Sequence, residues 1–224
     1  MWAQETRSYG GAQSFGVEAS WSGTSSHILL GDAEERRIWT LGFNYTYLVH
    51  VSPHFRWDYE AELMPVWEER DPTIIGTTFP YKNQIVYVAQ TPERVTHVYY
   101  GPIGSTVVGS GTVEPLYAVF GKQYSYAAAI SPLGARVTAF PRWRVRPTLA
   151  VNLGFVVSPS DLPVDGSDQF NYMFALGPGI QIFADKHTSW HLEYIYRHTS
   201  NAGEGNQNPG VDQGVIRVTL ELHR

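Results

Sequence analysis

Trp39-Thr40-Leu41-Gly42-Phe43-Asn44-Tyr45-Thr46-Tyr47-Leu48-Val49 sets a large apolar side chain at every second position, with Thr40, Gly42, Asn44 and Thr46 between them. A period of two belongs to a strand with one apolar face. The same alternation recurs on both sides of this stretch. Phe15, Val17, Ala19 and Trp21 share a face upstream, and Phe55, Trp57, Tyr59, Ala61 and Leu63 alternate with Arg56, Asp58, Glu60 and Glu62 downstream. Further strands are predicted near Tyr126 to Phe140, bending at Ser131-Pro132-Leu133-Gly134, and through Val145, Leu149, Val151, Leu153, Phe155 and Val157. The last three carry Tyr172 to Ile182, Trp190 to Tyr196, and Ile216 to Leu222. The expectation is an all-β chain whose eight strands close an up-and-down antiparallel barrel, an even count that allows closure. The stretch 65–125 is a long insertion between the third and fourth of these strands. It is rich in Gly, Pro and Thr, with one hairpin expected around Ile85 to Tyr100.

Two placements of the apolar face are open. A soluble, lipocalin-like barrel or sandwich points it inward; a transmembrane barrel points it at lipid and fills its lumen with the charged face. Size favours lipid, because Trp, Tyr and Phe from every strand would overfill an eight-stranded lumen. Arg56, Asp58, Glu60, Glu62, Arg144 and Arg146 would then pair inside. The joins agree. Those near His50 to His54, Phe140 to Trp143 and Ala184 to Thr188 are short, while those at 22–36, 65–125, 158–170 and 201–211 are long. Short and long alternate, so all long loops lie at one end, the habit of outer-membrane barrels with short periplasmic turns. One domain over 1–224 is expected, its insertion on the extracellular side and both termini on the periplasmic side.

Composition narrows the function. Aromatic residues make up 14% of the 224 and charged residues only 17%, with 21 Gly and 14 Tyr, which suits a β-rich chain with many turns. A net charge of −5 without a Lys/Arg run gives no nucleic-acid surface. The absence of Cys excludes disulfides, thiol catalysis and zinc-thiolate sites. The eight His are scattered without ligand spacing, so no metal is expected, and no cofactor motif is present. Gly101-Pro102-Ile103-Gly104-Ser105 lacks the Lys of a phosphate loop. Asp58, Glu60 and Glu62 share a face, as a glycosidase acid pair would, but Arg56 on that face favours ion pairing. No apolar run approaches the roughly 20 residues of a spanning helix. Met1-Trp2-Ala3-Gln4-Glu5 has neither the basic nor the apolar part of a signal peptide, so the chain reads as cytosolic or as a mature form.

Chemistry concentrates in Tyr196-Arg197-His198-Thr199-Ser200-Asn201-Ala202-Gly203 and Asn208-Pro209-Gly210-Val211-Asp212. His198 and Ser200 sit two apart on one strand and point the same way, their Cα atoms about 6.5 Å apart. Asp212 opens the antiparallel partner strand, where pairing brings it beside His198. Acid, histidine and serine in that order are the parts of a serine hydrolase: the histidine removes the serine proton and the carboxylate orients the imidazole. By parity all three lie on the apolar face. A soluble barrel would bury them; a membrane barrel displays them to lipid, which makes sense for a lipid substrate.

His198-x-Ser200-Asn201-Ala202, then Asn208-Pro209-Gly210 and an acid, resembles the active-site hairpin of the lipid A 3-O-deacylases. Ser131-Pro132-Leu133-Gly134, and Phe170-Asn171-Tyr172 followed by Gly177-x-Gly179, resemble that family's middle strands. The resemblance covers roughly 14–67 and 126–224. It implies a bacterial outer-membrane esterase with lipopolysaccharide as partner, Ser200, His198 and Asp212 as the triad, and an oxyanion region in the 201–208 loop. Asn208 would be the leading donor, with Asn201, Gly203 and Gly210 in support. Three departures stand out: Asp212 replaces the Glu of well-known members, the insertion is longer, and Leu222-His223-Arg224 lacks a terminal aromatic. The alternative is a barrel without catalysis, serving structure, lipid binding or a complex. For the insertion the expectation is a hairpin that covers the rim or docks on a protein or a second copy, against simple lengthening of the strands beside it.

Overall fold

The computed structural model describes residues 9–224; Met1 to Glu5, read above for a signal peptide, lie outside them. Ten strands are present among the described residues: β1 (Gln13–Ser22), β2 (Arg37–Val51), β3 (Phe55–Tyr81), β4 (Gln84–Arg94), β5 (Pro102–Val108), β6 (Thr112–Ala139), β7 (Val145–Leu162), β8 (Asp168–Phe183), β9 (Thr188–Ser200) and β10 (Val211–His223). Every pairing is antiparallel. The sheet order β4-β3-β2-β1-β10-β9-β8-β7-β6-β5 is joined back on itself by β3–β6. That pairing closes a ring of eight strands and leaves β4 and β5 as wings outside it.

The ring is turned inside out relative to a soluble barrel. Phe43, Trp57 and Leu153 are 54%, 51% and 49% exposed on the outer wall, while Glu60, Glu221 and Arg217 inside are 0%, 0% and 1% exposed. A charge in so narrow a lumen is costly unless it is paired. Arg136 donates to Glu60 at 2.5 Å and also bonds Glu221. Arg217 donates to Glu193 at 2.5 Å and bonds Glu62, with Glu18 at 3.7 Å. Arg56 holds Asp58 at 2.7 Å. Asp58, Glu60 and Glu62 are thereby engaged by cations, so the acid-pair reading of that face falls. Two lumen expectations need correcting. Arg144 lies on the surface at a turn, bonding the carbonyls of Phe183 and Ala184. Arg146 is inside but takes no carboxylate; it lies 4.3 Å over the Phe183 ring and donates to the Trp143 carbonyl.

Trp67 is an aromatic that points inward. The β3 register slips between Met64 and Trp67, and one extra residue exchanges the faces. Trp67 then packs with Ile38, Met64, Val156 and Met173 as an apolar plug toward the long-loop end, with Arg197 5.1 Å over its ring.

The insertion is mostly strand rather than loop. β3 runs for 27 residues and β6 for 28. At about 3.3 Å per residue each far exceeds the roughly 30 Å hydrocarbon layer. Beyond the ring they stay paired as far as Thr78–Tyr117. β4 folds back on β3 through Lys82-Asn83, both at positive φ as a two-residue hairpin turn demands. The hairpin thus turns at 82–83, and 95–101 forms no strand, unlike the expected Ile85–Tyr100 hairpin. A four-stranded sheet results, continuous with the wall, which matches lengthening of the flanking strands more than a separate lid.

Arg217→Met should lower folding stability by about 3–5 kcal/mol, because Glu18, Glu62 and Glu193 lose their shared cation in a dry lumen. Urea titration of the barrel in detergent micelles reads this; a change under about 1 kcal/mol would show that the network is solvated instead.

Candidate active site

The ladder fixes the neighbours. His198 pairs with Asp212 on β10 and with Phe174 on β8, and Ser200 pairs with Tyr172. All five side chains share the outer face by parity. His198 Nδ1 lies 2.7 Å from Asp212 Oδ1. An ionised carboxylate can only accept, so Nδ1 carries the proton and Nε2 keeps its lone pair. Among the described residues no hydrogen bond joins His198 to Ser200. Both line one groove of about 350 Å³ whose walls include Leu133, Leu153, Phe155, Tyr172 and Phe174.

Asp212 points outward, yet its side chain is 0% exposed. The cover comes from the β1–β2 loop, which sequence reasoning missed. Leu29 and Leu30 donate their backbone N–H groups to Asp212 Oδ2 at 2.6 and 2.8 Å, and the Tyr196 hydroxyl donates to Oδ1 at 2.8 Å. Four donors therefore meet the carboxylate. Ala33 N–H to the Gly210 carbonyl and Ser26 N–H to the Asp212 carbonyl hold the loop on β10, at 3.0 and 3.3 Å. Its far side is anchored by Arg36, fully buried, which donates to the carbonyls of Val95, Thr96 and Pro163 and lies 3.4 Å from both Glu69 and Asp71. Tyr196 was missed as well, although its parity with His198, two residues away, is a signal that could have found it. The Leu29 and Leu30 amides gave no such signal, because any residue type has such an N–H.

The four residues expected around an oxyanion divide by role. Asn201 is buried and closes its own loop: its Nδ2 donates to the Gln207 carbonyl at 2.9 Å and its Oδ1 accepts from Gly203 N–H at 3.0 Å. Its backbone N–H is taken by Asn208 Oδ1 at 3.1 Å. Asn208 is exposed, and with its oxygen so engaged its Nδ2 is the available donor. Gly210 has φ +59, and a Cβ there would stand 2.9 Å from His198 Cε1. Of the four, Asn208 has a side-chain donor to offer; Asn201 and Gly203 build the turn, and Gly210 makes room for the imidazole.

A closed antiparallel barrel with an apolar outer wall, a charged lumen and polar side chains displayed near one rim is a membrane-spanning barrel. The chain belongs to the lipid A 3-O-deacylase (PagL) family: the model of that family matches residues 96–221, more than half of the sequence. The match takes in the second half of the insertion and the hairpin that carries His198, Ser200 and Asp212; the expected likeness over 14–67 lies outside it. The crystal structure of the outer membrane enzyme PagL superposes with a TM-score of 0.51 at 12% identity, over 93% of this chain and 99% of that one, a likeness of fold. Neisserial surface protein A (TM-score 0.48, 10% identity, 96% and 98% coverage) and OprG from Pseudomonas aeruginosa (0.46, 10%, 97% and 99%) align more loosely. No curated protein matches the sequence.

Gly31 lies so close to β10 that a Cβ would stand 2.5 Å from the Asp212 amide nitrogen. Gly31→Ala should therefore lift the loop and break the Leu29 and Leu30 bonds while the barrel stays folded. In histidine-selective nitrogen NMR the His198 ring signals should shift from those of the unaltered protein. Unchanged signals would mean that the loop does not hold the acid.

Proposed function

We propose that this chain is a serine esterase of the bacterial outer membrane that removes the 3-linked acyl chain of lipid A, its long-loop end facing outward. Family membership supports the substrate. The observation that carries the mechanism is the 2.7 Å His198–Asp212 pair on the lipid-facing wall, beside an apolar groove that also contains Ser200. In this reading the acyl chain lies in the groove along Leu133, Leu153 and Phe174, where it exchanges one apolar contact for another, and the ester carbonyl stands at Ser200.

Ser200 Oγ attacks the carbonyl carbon as His198 Nε2 takes its proton. Asp212 stabilises the imidazolium without itself being protonated. The oxyanion accepts from Asn208 Nδ2, left free because the Asn208 oxygen is engaged by the Asn201 N–H. Collapse expels the sugar 3-oxygen, which takes the proton from His198 and leaves an acyl-serine. Water, deprotonated by His198, then attacks the acyl carbon; fatty acid departs and Ser200 regains its proton. Attack requires His198 Nε2 to reach Ser200, and such contacts commonly tighten when substrate binds. The unbonded His198 and Ser200 are what favours the second reading, a barrel that binds lipid without cleaving it.

Purified protein with lipid A, followed by mass spectrometry, separates the two. The unaltered chain should yield lipid A lighter by one acyl group plus free fatty acid. Ser200→Ala and His198→Ala should each reduce the rate about a thousandfold or more with the barrel still folded. Asp212→Asn should lose activity but keep substrate binding, because the amide favours the wrong imidazole tautomer. Full-rate deacylation by any of the three refutes the assigned role; no cleavage by the unaltered chain favours the binding reading.

A further inference from the structure

The outward rows of three neighbouring strands end alike. Along β2 the order is Phe43, Leu41, Trp39, Arg37; along β3 it is Leu63, Val66, Glu68, Arg70; along β6 it is Ile130, Tyr126, Tyr124, Lys122. Apolar residues give way to cations, with aromatics between them on β2 and β6. This is the order that a side chain meets from hydrocarbon through the interface to the headgroups. The cations also converge. Arg37 is the direct cross-strand partner of Arg70, and Lys122 is the partner of Pro72, the next outward residue on β3. A cleft of about 500 Å³ lies among them, with Gly23, Thr24 and Phe120 in its walls.

Like charges placed directly across a ladder destabilise the pairing. Among the described residues Arg37, Arg70 and Lys122 form no ion pair, whereas adjacent Arg36 is flanked by Glu69 and Asp71 and nearby Arg94 holds Asp165. Two carboxylates line the cleft: Glu35 is exposed, and Asp71 is turned inward to Arg36 and Ser125. Glu68 shares the Arg70 face without pairing to it. Cationic charge is in excess at the height where lipid headgroups stand.

We propose that Arg37, Arg70 and Lys122 form a binding site for the phosphate of an outer-leaflet glycolipid. Two guanidinium forks and an ammonium offer a phosphate's oxygens several donors of complementary charge. The bound phosphate relieves the Arg37–Arg70 repulsion. The site is separate from the groove at Ser200. β3 lies four strands from β9 by β10, β1 and β2, and four by β8, β7 and β6, so Ser200 and Arg70 stand on opposite walls; the groove's far end, at Leu133, shares β6 with Lys122 but lies eleven residues further down that strand. The lipid held here is a neighbour of the barrel and not its substrate in place, and it anchors the wall from which the β3–β6 extension rises.

Native mass spectrometry of the full chain in detergent micelles tests this with three probes: lipid A, lipid A with its phosphates removed, and phosphatidylglycerol. Loss of an acyl group changes the mass of bound lipid A but not its phosphates, so the difference in retention between the unaltered chain and a variant of the three cations reads this site whether or not Ser200 acts. The unaltered chain should retain lipid A about tenfold better than the dephosphorylated form, and Arg37→Gln/Arg70→Gln/Lys122→Gln should lose about that factor. Phosphatidylglycerol should be retained more weakly than lipid A. Equal retention of phosphorylated and dephosphorylated lipid A by the unaltered chain, which needs no variant to fold, overturns the site. So does undiminished retention by the triple variant, and phosphatidylglycerol bound as well as lipid A overturns the glycolipid assignment.

Discussion

The pairing of β3 with β6 closes the ladder, and the rest of the molecule follows from that closure. A strand edge in hydrocarbon leaves N–H and C=O groups without partners, at several kcal/mol each, so a sheet that meets lipid has to become a ring. With eight strands the ring is narrow. It has room for the arginine–glutamate network of Arg136, Arg217, Glu60, Glu62, Glu193 and Glu221 and for a few rings such as Trp67 and Phe183, but not for an aromatic row from every strand. Such rows go outward because lipid accepts them. Among the described residues the sheet's free edges are β4 and β5, where β3 and β6 have outrun the ring.

An inside-out barrel creates a particular difficulty for a site on its outer wall. Asp212 is a carboxylate on the lipid side, where an unpaired charge would be costly. The β1–β2 loop resolves this by folding down over β10 and giving two backbone amides to Oδ2, while Tyr196 and His198 supply Oδ1. The same loop rests on Arg36, whose other partners come from β3 and from the segments around Val95 and Pro163. A physical path therefore connects the base of the extension to the acid beside His198.

Two sides of that outer wall differ in what they offer lipid. On the β6–β9 side a groove meets Ser200 and His198 with apolar walls, suited to a chain and an ester. On the β2–β3–β6 side the rim presents three cations and a cleft, suited to a charged headgroup. Both arise from the same device, a period-two strand whose outward residues change character near the rim.

Alternation along Trp39 to Val49 and its repeats determined that this chain is β, that its apolar side chains are too large to face inward, and that His198, Ser200 and Asp212 share one face. These are local matters, set by the two-residue period and by side-chain volume. The long insertion was legible as strand only in part, through one expected hairpin and the alternative that it lengthens its neighbours. Its Gly, Pro and Thr content resembles a loop, and only partnership with β3 and β6 makes it sheet. The inward turn of Trp67 was not legible for a related reason: a bulge shifts parity, and sequence does not announce bulges. What tertiary structure alone decided is which donors reach Asp212, which of Asn201 and Asn208 keeps a free amide, and that Arg144 stays outside while Arg136 goes in. Each depends on backbone groups or cross-ring partners far apart in the chain, and a hydrogen bond between them exists only once the ring has closed.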